Sequence, residues 1–205
     1  MGLYATDFLD GRLSRSYLID VAFLPVGNAS LQTTRKGAAM ELKEIFLAQL
    51  DREAALSRKA IEQVPEGKGD WKPHERSMEL GRLAPLSATM LGWHVLTIER
   101  DELNLDDPSS TEAFRTPTRT RAEMLKALDD YTTKTRKALR ETTEEHLKKP
   151  WKLVLGGQVL LEQPRYEVIA DTFSHLAHHR GQLTVYLRLL GAKVPAIYGP
   201  SADEN

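Results

Sequence analysis

The chain has 205 residues, enough for one domain with a sizeable core. Lysine plus arginine number 28 and aspartate plus glutamate 29, so 28 − 29 leaves a net charge of −1 and no global field to draw in nucleic acid or anionic lipid. Cysteine is absent, which excludes disulfides, thiolate ligands and a cysteine nucleophile, and leaves His, Asp and Glu as metal ligands.

Residues 1–39 carry no sustained period and read as an N-terminal extension of unknown role, ahead of a single domain over residues 40–205. The apolar run Tyr17–Pro25 is too short to span a bilayer, and Asp20 in its middle argues against a signal peptide. A cytoplasmic location is the expectation. Met40 could itself start the protein, or the preceding arm could be a native segment; the residues leave both open.

From Met40 to Val64, Leu42, Ile45, Phe46, Leu50, Ala54, Leu56, Ala60 and Ile61 recur at three- and four-residue spacings, the pattern of an amphipathic helix. Pro65–His74 is a loop by its Gly and Pro content. A second helix is expected over about Met78–Asp101, with Leu80, Leu83, Ser87, Met90, Leu91, His94 and Ile98 on one face and Pro85 tolerable only within its first turns or as a kink. Leu103–Pro117 is polar and turn-rich. Thr120 with Glu123 three residues later forms a capping box that opens a third helix, carrying Ala122, Leu125, Leu128 and Tyr131 toward the core until Leu139. Two Val/Leu runs flank Gly156-Gly157 and predict a small hairpin or extended loop within Trp151–Leu161. The longest helix follows Pro164 and ends near Gly191, a C-terminal cap; the proline-bearing tail should then pack back through Ile197 and Tyr198. The fold class is all-α, a four-helix bundle with a small hairpin between helices three and four.

The chemistry concentrates in that last helix. At 100° per residue His175 and His179 lie about 40° apart, one turn above the other, on a stripe shared with Val168, Thr172, Gln182 and Tyr186. H-x3-H on an inward stripe offers a metal two imidazoles, and a bundle completes such a site from a facing helix. His94 is the third candidate, since it is the other histidine on an apolar face, although a hydrogen-bonded core histidine is the competing reading. Asp171, one turn before His175, could accept its outer ring N–H. His178, at the stripe's edge, is the other candidate for an outer contact to the ligands. His74 and His146 fall in a loop and a charged run, where solvation is expected, and His178 and Arg180 could simply be surface.

Trp71-Lys-Pro-His-Glu-Arg-Ser-Met78, Gly81-Arg-Leu-Ala84, the run His175–Arg188 with its His-His-Arg-Gly-Gln core, and Val194–Glu204 together resemble the DinB family of small bacterial metal-binding bundles. The resemblance runs from about Met40 to the end. It implies a four-helix bundle, often a homodimer, holding zinc, nickel or another divalent metal on three histidines. In the superfamily it implies thiol-dependent transferases and isomerases acting with low-molecular-weight thiols. His175 and His179 match the paired histidines of that family. The first histidine is expected near Leu86, where this chain has leucine, and His94 lies eight residues further on.

Two functions follow. In one, a divalent metal at His175, His179 and His94 activates a thiol or water for transfer to, or hydrolysis of, a small electrophile, with Asp171 or His178 as the available base. In the other, the bundle is a non-catalytic stress-response or interaction protein whose metal site is incomplete. Direct nucleic-acid or membrane binding is disfavoured by the neutral charge.

Overall fold

The computed structural model describes residues 40–111 and 120–204; the expectations for residues 1–39 lie outside them. Helix α1 (Leu42–Glu62) buries Phe46, Leu50, Ala60 and Ile61 as the periodicity requires. The same stripe also buries Glu53 and Ser57, while Ile45, expected inside, is 43% exposed. A carboxylate enters the core only with a partner, and the partner is described below.

The second bundle helix is two segments, α2 (Leu80–Thr89) and α3 (Gly92–Glu99). The break falls at Met90–Leu91 and not at Pro85, which stays inside α2. Met90 and Leu91 have φ/ψ of −59/−25° and −60/−24°, the tighter 3₁₀ range. Trp93 N–H and His94 N–H accordingly bond three residues back, to Met90 O and Leu91 O. All seven residues expected on the inner face, from Leu80 to Ile98, are buried.

No side chain caps α2. Its first amides are satisfied by the preceding loop: Leu80 N–H donates to Trp71 O and Gly81 N–H to Gly69 O, both at 2.8 Å. Gly81 suits that approach, because a Cβ there would stand 3.1 Å from Gly69 O and 3.2 Å from Gly69 Cα, so the loop backbone would have to give by a few tenths of an ångström.

Two short helices, α4 (Pro108–Thr111) and α6 (Glu144–Lys148), flank the third bundle helix, α5 (Arg121–Glu141). Helix α5 opens on the expected capping box: Thr120 Oγ1 accepts from Glu123 N–H at 3.2 Å, and Glu123 Oε2 accepts from Thr120 N–H at 2.9 Å. Its buried stripe is Met124, Leu128, Thr135, Ala138 and Leu139, with Leu125 and Tyr131 partly buried against the core as expected, while Ala122 is exposed.

Strands β2 (Pro150–Leu155) and β3 (Gln158–Pro164) form the antiparallel hairpin, with Gly156 and Gly157 at φ of 59° and 70° supplying the two left-handed residues of its turn. The expectation of a turn-rich segment after Leu103 is corrected at its start. Strand β1 (Glu102–Asn104) pairs in parallel with β2 and buries Leu103 beside Trp151 and Val168 in a satellite core.

Helix α7 (Arg165–Leu189) is the longest element and packs on α1, α2 and α3. Arg165 at its start is buried and bridges to the sheet connection, donating to Lys149 O and Pro150 O through Nη1 and to Arg100 O through Nη2. Its end is a Schellman cap: Ala192 N–H bonds Leu187 O, Gly191 N–H bonds Arg188 O, and Gly191 takes φ +73°. The tail folds back on the bundle, held by Arg188–Asp203 at 2.7 Å and Lys59–Glu204 at 3.1 Å. The long helices α1, α2–α3, α5 and α7 make a four-helix bundle with the small sheet at one end of its connections. No helix among the described residues is long and apolar enough to cross a membrane.

Candidate metal centre

One turn of α7 separates His175 from His179, and their rings lie 4.5 Å apart between centroids. His179 is buried and His175 half-buried. Burial, with His175 and His178 alongside, pushes the His179 imidazole down to about 4, so it is neutral at neutral pH. Burial followed by the neighbouring His178 also lowers His175. Two neutral imidazoles side by side are what a metal needs, since a protonated ring cannot ligate.

Gln182, one helical step further along the stripe, fixes the tautomer. The His179 Nδ1 to Gln182 Oε1 distance is 3.1 Å, and an amide oxygen can only accept, so Nδ1 carries the proton and Nε2 keeps its lone pair. This is the outer hydrogen bond that orients ligating histidines.

His94 is fully buried on α3, as its stripe position requires, but in a different setting. Its ring packs on Phe173 with centroids 4.2 Å apart. Nδ1 lies 3.1 Å from Leu91 O, the carbonyl at the 3₁₀ break, which also accepts from Thr135 Oγ1 at 2.7 Å. Burial pushes its pKa down to about 4, opposed by the backbone at Leu91 and at Ile169. Although the Ile169 backbone is near, Nε2 meets no partner with hydrogen-bond geometry. The ring is neutral with a lone pair at Nε2, yet among the described residues no three His, Asp or Glu side chains converge to hold a metal ion. The donor set therefore fits two positions of a divalent ion's coordination sphere, at His175 and His179.

The remaining residues sort plainly. Asp171 is exposed, makes no hydrogen bond to His175, and has its pKa raised by burial and by Glu167. Leu86, where the resemblance expects a histidine, is partly buried against the core. His178 is exposed, its ring 6.5 Å from that of His175 and 5.3 Å from that of His179. His74 is exposed as expected. His146 is not simply solvated: it is half-buried, with Nε2 2.7 Å from Ile98 O, so α6 is pinned to the end of α3.

Arg180 corrects the surface reading outright. It is fully buried, and its Nη2 donates to Glu53 Oε2 at 2.5 Å while Nη1 reaches Glu53 O and Ser57 Oγ at 3.2 Å. Tyr198 from the tail closes the group, its hydroxyl on Glu53 Oε2 at 2.8 Å and also bonded to Arg180. The signal for this network was present as Glu53 and Ser57, two polar residues four apart inside an apolar stripe, but their partner is on another helix.

A four-helix bundle whose long final helix sets two histidines one turn apart defines a class of small helical proteins. The sequence matches the DinB family over residues 40–205, and the chain belongs to that family. Among solved structures, a DinB-like protein from Bacillus cereus ATCC 10987 superposes with a TM-score of 0.58 at 19% identity, covering 76% of this chain and 97% of that one. YfiT from Bacillus subtilis, described as a probable metal-dependent hydrolase with an unusual four-helix bundle topology, superposes at 0.54 with 14% identity, covering 79% and 95%. At these identities the likeness is one of fold. Uncharacterized protein YrdA of Bacillus subtilis strain 168 is 42% identical over 43 residues, which are 21% of this chain and 26% of that protein. The match thus spans about a quarter of that curated relative.

Proposed function

We propose that this protein binds a divalent metal, zinc or nickel, through His175 and His179, and acts on a small electrophilic molecule as a hydrolase or thiol transferase. The observation that carries the reading is the His175–His179 pair itself, with rings 4.5 Å apart and Gln182 holding the His179 tautomer. Family membership and the description of YfiT support it. When bound, the metal supplies Lewis acidity that lowers the pKa of a coordinated water or thiol. The chain's own contribution is to present both imidazoles neutral and to fix the ring of His179. This reading assigns Asp171, one turn before His175 in sequence and with a raised pKa, as the carboxylate that accepts a proton from an incoming nucleophile.

A second reading has its own observation. Among the described residues no third His, Asp or Glu joins the pair, which favours a weakly binding, non-catalytic bundle. Zinc and nickel titrations of untagged full-length protein, followed by calorimetry, separate the two. The catalytic reading expects near-stoichiometric binding that disappears in His175→Ala and in His179→Ala, together with metal-dependent thiol addition to, or hydrolysis of, a model electrophile. Absence of binding, or binding without any such reaction, favours the second.

A further inference from the structure

Between α3, α5 and α6 lies a cavity of about 410 Å³ whose lining includes neither His175 nor His179. Helices α3 and α5 both end in its wall, at Glu99 and Glu141, so two helix carbonyl ends, each worth about half a negative charge, border the same space. Glu145 of α6 adds a third carboxylate, and Lys149 is the one Lys or Arg of the lining. Three carboxylates against one ammonium leave two negative charges unmatched. Glu141 has only a long 4.0 Å pairing with Lys137, and Glu99 and Glu145 are in no ion pair among the described residues. Thr142 belongs to the same wall. Its side chain is nine-tenths buried, yet its hydroxyl has no hydrogen-bond partner, a cost that an N–H from a ligand would relieve. His146 donates Nε2–H to the Ile98 carbonyl at 2.7 Å, which leaves its Nδ1 as a further acceptor.

We infer that this cavity binds a small linear diammonium cation, a short alkyl diamine whose ammonium groups meet the Glu99, Glu141 and Glu145 carboxylates and whose methylene stem lies along Ile98 and Ala138. Its two positive charges match the surplus of the lining, and an anion would be repelled by the carboxylates and both helix ends. The lining has no Phe, Tyr or Trp, so the aromatic cage that selects a quaternary ammonium is missing, whereas carboxylates and a hydroxyl suit a cation with N–H donors. Among the described residues no three acidic or histidine side chains are placed to hold one metal ion, so the carboxylates stand apart for separate cationic groups. A volume of about 410 Å³ suits a small molecule. The inference is independent of any metal at His175 and His179.

Calorimetric titration of the full chain with putrescine tests it. Binding at one site per chain is expected, weakened about fivefold in Glu99→Gln and again in Glu141→Gln, the size of one charge contact in water-like surroundings. Both residues are exposed, so melting curves should be unchanged, and Glu145→Gln provides a third variant of the same kind. Thr142→Val removes only the hydroxyl and should weaken binding without lowering stability. Butylamine, which has the same stem and a single ammonium, should bind about fivefold more weakly or worse. The inference is overturned by absence of putrescine binding in the parent protein, by unchanged affinity in the double variant Glu99→Gln/Glu141→Gln, or by butylamine binding as tightly as putrescine. Magnesium chloride binding as tightly as putrescine at equal ionic strength would also overturn it, since diffuse attraction of cations would then account for the result.

Discussion

Arg180 and Glu53, 127 residues apart in sequence, meet as a buried ion pair at 2.5 Å in the bundle core, with both side chains almost wholly excluded from water. Burial raises the Glu53 pKa, but hydrogen bonds from Arg180 and Tyr198 and the Arg180 charge outweigh it, so the carboxyl stays below its usual range. The pair joins α1 to α7 one residue from His179.

Breaking that pair from one side leaves an uncompensated buried charge. Arg180→Met or Glu53→Gln should lower unfolding free energy by about 3–5 kcal/mol. The double change Glu53→Leu/Arg180→Met should cost clearly less than the two single losses added. Urea denaturation of the four proteins measures this, and strict additivity would contradict a direct pairing.

His94 and Thr135 both bond the Leu91 carbonyl, where the helix tightens between α2 and α3. Thr135→Val removes one donor and should destabilise by about 1 kcal/mol, without altering metal affinity. Chemical denaturation and a parallel zinc titration check both halves.

Buried neutral histidines make stability depend on pH. His94 and His179 have folded pKa values pushed down to about 4, against roughly 6.5 when unfolded. Above pH 6.5 neither state is protonated and their stabilisation is fully present. As pH falls from 6.5 toward 4 the unfolded chain binds more protons, so stability is lost across that window by up to about 3 kcal/mol for each residue. The melting temperature should fall between pH 6.5 and 4. Replacing His94 by Gln should flatten that slope.

Leu86 occupies the position at which the resemblance expects a ligand, partly buried against the core. Leu86→His should therefore supply a facing-helix imidazole and tighten zinc binding by about tenfold or more, or roughly 1.4 kcal/mol. Calorimetry on the parent and the variant decides it. No gain would mean that Leu86 does not face the pair.

Much of this architecture was legible before any coordinates, because it depends on local rules. Periodicity placed four long helices, the Thr120–Glu123 box marked the start of one, and Gly191 marked the end of another. Gly156-Gly157 announced the hairpin. The H-x3-H spacing put His175 and His179 together because i and i+4 are neighbours on any α-helix. Strand β1 escaped notice, since three residues carry too little pattern and their pairing with β2 is non-local.

The sequence by itself determined which residues sit one turn apart, which helix ends are capped, and that the last helix carries two imidazoles on one stripe, because backbone geometry enforces those relations within a few residues. Only the tertiary structure decided that Arg180 is buried against Glu53 and Tyr198, that His94 leans on Phe173 and the Leu91 carbonyl, and that no third acid or histidine closes on the pair among the described residues. Those outcomes depend on how the faces of separate helices meet, and meeting is set by packing of the whole core and the desolvation of each polar group within it.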